Sequence, residues 1–247
     1  VMNIKAYSNE RLEFFGDELN RRFNPSRLEC VGSLDVYDVV DFIGCTPEWK
    51  YITPDQSILG MTVFEKTEYY VWQEPKYEKG CLPIKTTLEK GTILIDRTLN
   101  EGNKQKQYVE NFTVIHECFH WLLHKDYFEN TENSIQCCSE DTLFGKFFSF
   151  IAEIATLEHQ ANRCAACFLM PKNAVSSEFM KNARMQNKPY SPLPEREMKK
   201  YIAQTANQFG VNFNPMKYRL QELGFIQKQG ENYGMDKRSH TNVYGCC

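Results

Sequence analysis

The 247-residue sequence contains no apolar run long enough to cross a bilayer. It has little excess charge of either sign: 29 Lys and Arg against 32 Asp and Glu give a formal net charge of −3. That balance argues against bulk electrostatic binding to nucleic acid or to an anionic membrane. The first nineteen residues, Val1 to Leu19, are studded with charges and contain no apolar core, so a secretory signal is not expected there. Internal repeats and low-complexity tracts are also missing. Histidine is scarce, with five residues in the whole chain, which makes any close pair of them informative. Cysteine, by contrast, is plentiful at ten. Without a secretory signal, the expected state is reduced thiol in a cytoplasmic protein. Cys118, Cys164 and Cys167 fall inside apolar helical patterns, where a thiol serves as a small hydrophobe. The Cys164-x-x-Cys167 spacing lies near the end of a helical stretch rather than at a helix start, so it reads as core filling rather than a redox pair.

The hydrophobic pattern predicts an α+β chain, mostly helical, with a small and mainly antiparallel three-stranded sheet. Leu12, Phe15, Leu19 and Phe23 make one face of a helix over residues 9–23. Residues 24–57 are mixed and carry the breakers Pro25, Pro47 and Pro54, so residues 1–57 read as an N-terminal, mostly helical segment. Ile58 to Phe64, Glu68 to Gln73 and Thr92 to Asp96 read as the three strands. A helix is expected over about 108–124 with the stripe Phe112, Ile115, Phe119 and Leu122, and another over about 147–170, closed by Pro171. These elements define a core unit at 58–180. A C-terminal helical pair of roughly helix-turn-helix shape occupies 191–227, with Gly210 and Gly224 as stops, and a polar tail fills 228–247.

Within the first of the two long helices stands His116-Glu117-Cys118-Phe119-His120. Two histidines four residues apart project from one helix face and can hold a single zinc ion. Glu117 can reach water at such a metal without ligating it, and so can act as general base. In a chain with five histidines, H-E-x-x-H arises by chance about once in a hundred sequences. The apolar flank from Phe112 to Leu123 argues against a solvated face carrying two incidental histidines.

A catalytic zinc needs a third protein ligand and an open position. Leu123 and Asp126 stand where a metzincin would place Gly and His, which excludes that arrangement. His124 is one further four-residue step along, but each such step turns about 40° around the helix. Packing, or holding a ligand in place, therefore suits it better than ligation. Glu158 interrupts the apolar stripe of the second long helix, Phe147, Ile151, Ile154, Ala161, Ala165 and Phe168. A buried carboxylate needs a cation; a metal would supply it, as would Arg163 or Lys172, or an escape to the surface.

Three segments carry a family resemblance. Thr113 to His124, TVIHECFHWLLH, resembles the active-site helix of the ImmA/IrrE metallopeptidases. Glu158 to Pro171, EHQANRCAACFLMP, is similar to that family's second signature, and Gly91 to Leu99 to the strand that feeds the helix. Residues 211–226 resemble its C-terminal helical unit, while residues 1–57 carry no such likeness. The resemblance implies a gluzincin-like core, one Zn2+ held by His116, His120 and Glu158, and Glu117 as the catalytic base. It also implies an endopeptidase that cleaves a helix-turn-helix transcriptional repressor. Membrane association and direct nucleic-acid binding are not expected. The rival reading is a DNA-binding or partner-binding regulator that uses the same fold without proteolysis, suggested by the helical pair. Its charge is only mildly basic, with Arg196, Lys199, Lys200, Lys217 and Arg219 against Glu195, Glu197 and Glu222.

Overall fold

The structure is a computed structural model that describes residues 4–74, 82–100, 102–129 and 147–228. The thiols Cys137-Cys138 and Cys246-Cys247, the polar tail, and most of the loop expected after His124 lie outside the described residues, as do the side chains of Phe147 and Ile151.

Among the described residues there are seven α-helices and five strands, and the α+β class expected from the pattern holds. In chain order they are α1 (Asn9–Phe23), α2 (Val36–Phe42), β1 (Thr46–Lys50), β2 (Gly60–Thr62), β3 (Thr67–Val71), β4 (Ile84–Leu88), β5 (Thr92–Asp96), α3 (Lys104–Glu129), α4 (Phe147–Leu169), α5 (Lys172–Asn182), α6 (Glu195–Gln208) and α7 (Phe213–Glu222). Local chemistry sets several of these ends. Ser8 caps α1 by accepting from the Arg11 N–H at 3.3 Å, and Asp35 caps α2 by accepting from the Tyr37 N–H at 2.9 Å. Asn103 accepts from the N–H groups of Gln105 and Lys106 and so opens α3.

The strand pairing refines the expected small, mainly antiparallel three-stranded sheet. β5 is the centre of a mixed sheet of order β1-β5-β2, parallel to β1 (Thr46↔Thr92) and antiparallel to β2 (Gly60↔Ile95). β3 and β4 form a separate antiparallel pair. Two strands were therefore not anticipated. β1 contains Pro47, read as a breaker, but an edge strand tolerates a proline because one side of its ladder is unpaired. β4 sits in a stretch that reads as polar because much of it is solvated. α5 was also missed: Pro171 does end α4, but it immediately serves as the cap of the next helix.

All five residues of β5 are buried. One hydrophobic core runs from Leu12 on α1 through Ile93 and Ile95 on β5, Phe119 on α3 and Phe168 on α4 to Leu220 and Phe225 at the end of the helical pair. At the centre of α3 the burial is all-round, taking in Val114 to His120, whereas Leu122, expected in the stripe, is exposed. α1 lies so close to α4 that a Cβ on Gly16 would stand 2.8 Å from Cys167 Cβ and 2.9 Å from the Phe168 backbone nitrogen. Glycine is there for close approach. Asn20 continues this contact by donating to the Phe168 carbonyl at 3.0 Å. Arg219 on α7 donates to the Met170 carbonyl at 3.0 Å and to Glu13 Oε2 at 3.1 Å, tying α7 to α1 and to the end of α4. Cys164 and Cys167 are free and buried in this packing; burial pushes the Cys167 thiol up to about 12 and the Cys164 thiol up as well. That is core filling, as their place in the helix suggested. No described helix is long and apolar enough to cross a membrane.

Candidate metal centre

α3 and α4 pack side by side, and the four-residue spacing of His116 and His120 aims both rings at α4. Glu158, one turn and a half into the described side chains of α4, aims back. The ligand atoms of His116, His120 and Glu158 all lie within 4.8 Å of one another, a grouping compatible with a metal ion. His116 Nε2 is 3.2 Å from Glu158 Oε2, His120 Nε2 is 3.1 Å from Glu158 Oε1, and the two Nε2 atoms are 2.9 Å apart. Both rings are buried, while the Glu158 side chain remains about a quarter exposed at 24%. The cluster is thus closed by the helices and open past the carboxylate. Burial on its own would raise Glu158, but hydrogen bonds from His116 and His120 outweigh it and hold the carboxyl far below the usual range. Burial on its own would lower His116; the Glu158 hydrogen bond and the nearby Glu117 charge outweigh it and raise that ring. Of the cationic partners considered for Glu158 in the sequence, Arg163 turns away and pairs with Glu13 at 3.1 Å and with Glu222.

Each ligand ring is held at its other nitrogen. Asn162, four residues beyond Glu158 on α4, accepts from His116 Nδ1 at 3.0 Å. His120 Nδ1 is 3.0 Å from His124 Nδ1, so His124 stands behind a ligand rather than among the three. His124 Nε2 in turn meets Gln160 Oε1 at 3.1 Å. Burial pushes the His124 pKa down to about 3, and the neighbouring His120 adds to the effect. α4 therefore contributes Glu158, Gln160 and Asn162 from successive alternate positions.

Glu117 is buried on the turn between the two histidines and faces β2. Thr62 Oγ1 lies 2.8 Å from Glu117 Oε2 and 2.9 Å from the Glu117 carbonyl, so its single proton is shared between them. The backbone at Gly60 passes so near that a Cβ there would be 2.8 Å from Glu117 Oε1 and 2.6 Å from Thr113 Cγ2. The carboxylate is thus confined by β2 at one oxygen and crowded by it at the other.

Sequence reasoning missed Thr62, Gly60, Asn162 and Gln160. Thr62, Gly60 and Asn162 contact the motif across 46 to 57 residues of chain, and Gln160 meets His124 across 36, in β2–α3 and α3–α4 pairings. Asn162 and Gln160 did lie within the quoted second signature, at two and four residues after Glu158. On a helix the position four residues on shares the face of Glu158, so Asn162 carried an available signal, whereas Gln160, two residues on, did not.

No family model matches the chain, and no curated protein matches it.

Proposed function

We propose that the chain is a zinc-dependent endopeptidase of the cytoplasm whose substrate is a helix-turn-helix transcriptional repressor. The observation that carries the reading is the convergence of His116, His120 and Glu158 within 4.8 Å, with Glu117 between the two histidines on the same helix. Two imidazoles and one carboxylate, leaving a position open, form the donor set that suits a catalytic zinc. Lone pairs that face one another at 2.9–3.2 Å repel unless a proton or a cation lies among them, which a bound cation satisfies.

Zinc supplies Lewis acidity at such a site, acidifying water and polarising a carbonyl. The chain's own groups do the rest. His116 and His120 present Nε2, and Glu158 presents a carboxylate that is open to solvent on one side. Glu117 takes a proton at Oε1, the oxygen not engaged by Thr62, and returns it to the leaving amine. Thr62 keeps the carboxylate from swinging away while it is charged.

The substrate class rests on the motif resemblance. The DNA-binding form of the rival reading finds little support in α7, where Lys217 and Arg219, 7% and 2% exposed, point inward to Glu195 and to Glu13 and Glu222. A helix that reads DNA needs those charges on its surface.

Zinc content and cleavage together test the proposal. Wild type should carry one equivalent of zinc by atomic emission, and Glu158→Ala should lose it. Glu117→Gln should retain zinc and lose cleavage by about 100-fold or more. Cleavage is read as new amino termini in a lysate treated with each protein, with helix-turn-helix repressors among the cut chains and casein left largely intact. Equal termini from wild type and Glu117→Gln would overturn the hydrolytic role.

A further inference from the structure

We propose that His124 and Gln160 are positioning residues that fix the tautomer of His120, and that the backbone carbonyl of Lys5 anchors them. This rests on the reading of His120 as a metal ligand.

The hydrogen bonds form one chain in which each link constrains the next. Gln160 Nε2 lies 2.8 Å from the Lys5 carbonyl oxygen. A carbonyl can only accept, so the amide nitrogen must face Lys5 and the amide oxygen must face His124. That oxygen also only accepts, so His124 carries its proton on Nε2, 3.1 Å away. A second proton on His124 is disfavoured, because the ring is 2% exposed and its other neighbour is an imidazole. His124 Nδ1 is then an acceptor, and the atom 3.0 Å from it, His120 Nδ1, must donate. His120 therefore keeps a proton on Nδ1, so Nε2, the atom 3.1 Å from Glu158 Oε1 and 2.9 Å from His116 Nε2, is the nitrogen that can give a lone pair to a metal. That is the form a metal requires, and the other nitrogen's hydrogen bond is what selects it.

The two ligand rings are therefore oriented by different routes. His116 is held directly by Asn162, whereas His120 is held through two side chains that end on the segment before α1, 155 residues away from Gln160. Gln160 and His124 are both 2% exposed, and a merely structural pair would fill space there equally well with apolar groups. The positioning role predicts more than stability.

Long-range proton–nitrogen NMR of the histidine rings in the metal-free protein reads the tautomers. The expected result is a proton on Nδ1 of His120 and on Nε2 of His124. Gln160→Met keeps the side-chain length and removes the acceptor; zinc affinity, measured by chelator competition, should fall about 10- to 100-fold. Gln160→Glu restores an acceptor for His124 but not the donor to the Lys5 carbonyl, so it should recover only part of that loss. A His120 without a proton on Nδ1 in wild type would overturn the proposal, and so would a folded Gln160→Met with wild-type zinc affinity. If Gln160→Met does not fold, the wild-type tautomers and Gln160→Glu decide. Zinc affinity that depends on Gln160 in a protein without peptidase activity supports this proposal and removes the proposed function. Peptidase activity with zinc affinity indifferent to Gln160 does the reverse.

Discussion

Gly60 has no side chain, and Glu117 occupies the room that one would take. A Cβ at that position meets the methyl of Thr113 at 2.6 Å and Glu117 at both Oε1, 2.8 Å, and Cγ, 2.9 Å, so the buried Glu117 side chain has to shift. Gly60→Ala should therefore destabilise the fold by about 1–3 kcal/mol and displace the carboxylate from its position beside Thr62. The expected outcome is a fall in kcat of about 10- to 100-fold with zinc content unchanged, measured on the bond that wild type cuts. Thr62→Val, which removes the hydroxyl from Glu117 Oε2, should act in the same direction. At this scale the sequence was informative where chemistry and spacing coincide. His116, Glu117 and His120 stand out because one helix brings them together, and Glu158 because a carboxylate interrupts an apolar stripe. Thr62 and Gly60 belong to a strand whose only mark is its β-branched and aromatic composition, and that says nothing about which residue touches a helix across the sheet.

The elements meet through a few specific contacts, and two of these give measurable predictions. At Gly16 the neighbouring atoms include the backbone nitrogen of Phe168, which cannot turn aside. Gly16→Ala should push α1 off α4 and destabilise the fold by about 1–3 kcal/mol despite the better helix propensity of alanine, read by chemical denaturation. The Glu13–Arg219 pair joins α1 to α7. Burial would raise the Glu13 carboxyl, but the Arg219 hydrogen bond and the charges of Arg219 and Arg163 outweigh it and hold the group below its ordinary value. A carboxyl lowered on folding binds its proton more readily in the unfolded chain. Its stabilisation is thus complete above the unfolded pKa and fades as pH falls from there through the folded one. Glu13→Gln should cost about 1.5–3 kcal/mol at neutral pH, and the gap to wild type should close as the pH of the denaturation series drops below about 4. Helices were legible because their periodicity is intrinsic to one segment: α1 has the bounds expected of it, and α4 nearly so. Strand partners were not, because β1 and β5 lie 46 residues apart at the Thr46↔Thr92 pairing and nothing in either segment names the other.

Taken whole, the molecule shares one core among α1, the central sheet, the two motif helices and the C-terminal pair. A core that continuous should melt in a single transition, with zinc shifting it upward. Free zinc at about 100 times its Kd should add about 2.7 kcal/mol to the stability, seen in calorimetry as a rise in Tm that a chelator reverses. Two separated transitions would show that the helical pair melts on its own. The mixed sheet and the wrap of α1 over α4 were not legible because both are decided by contacts between distant parts of the chain, and only the folded core reveals which apolar faces pair.

The split of the candidate metal site between two helices also has a consequence in time. During synthesis from the amino terminus, His116, Glu117 and His120 are made first, and Glu158 follows 38 residues after His120. At about 5–20 residues per second that is a delay of roughly 2–8 s. Throughout it the growing chain holds two of the three candidate metal-binding residues but not Glu158, and the segment around Lys5 has no Gln160 to bind. α1 likewise waits for α4, the helix it is shaped to meet at Gly16. On the proposed function, the order of the sequence acts as a timer: the hydrolytic centre would not be complete until the helix that closes the core has also been made.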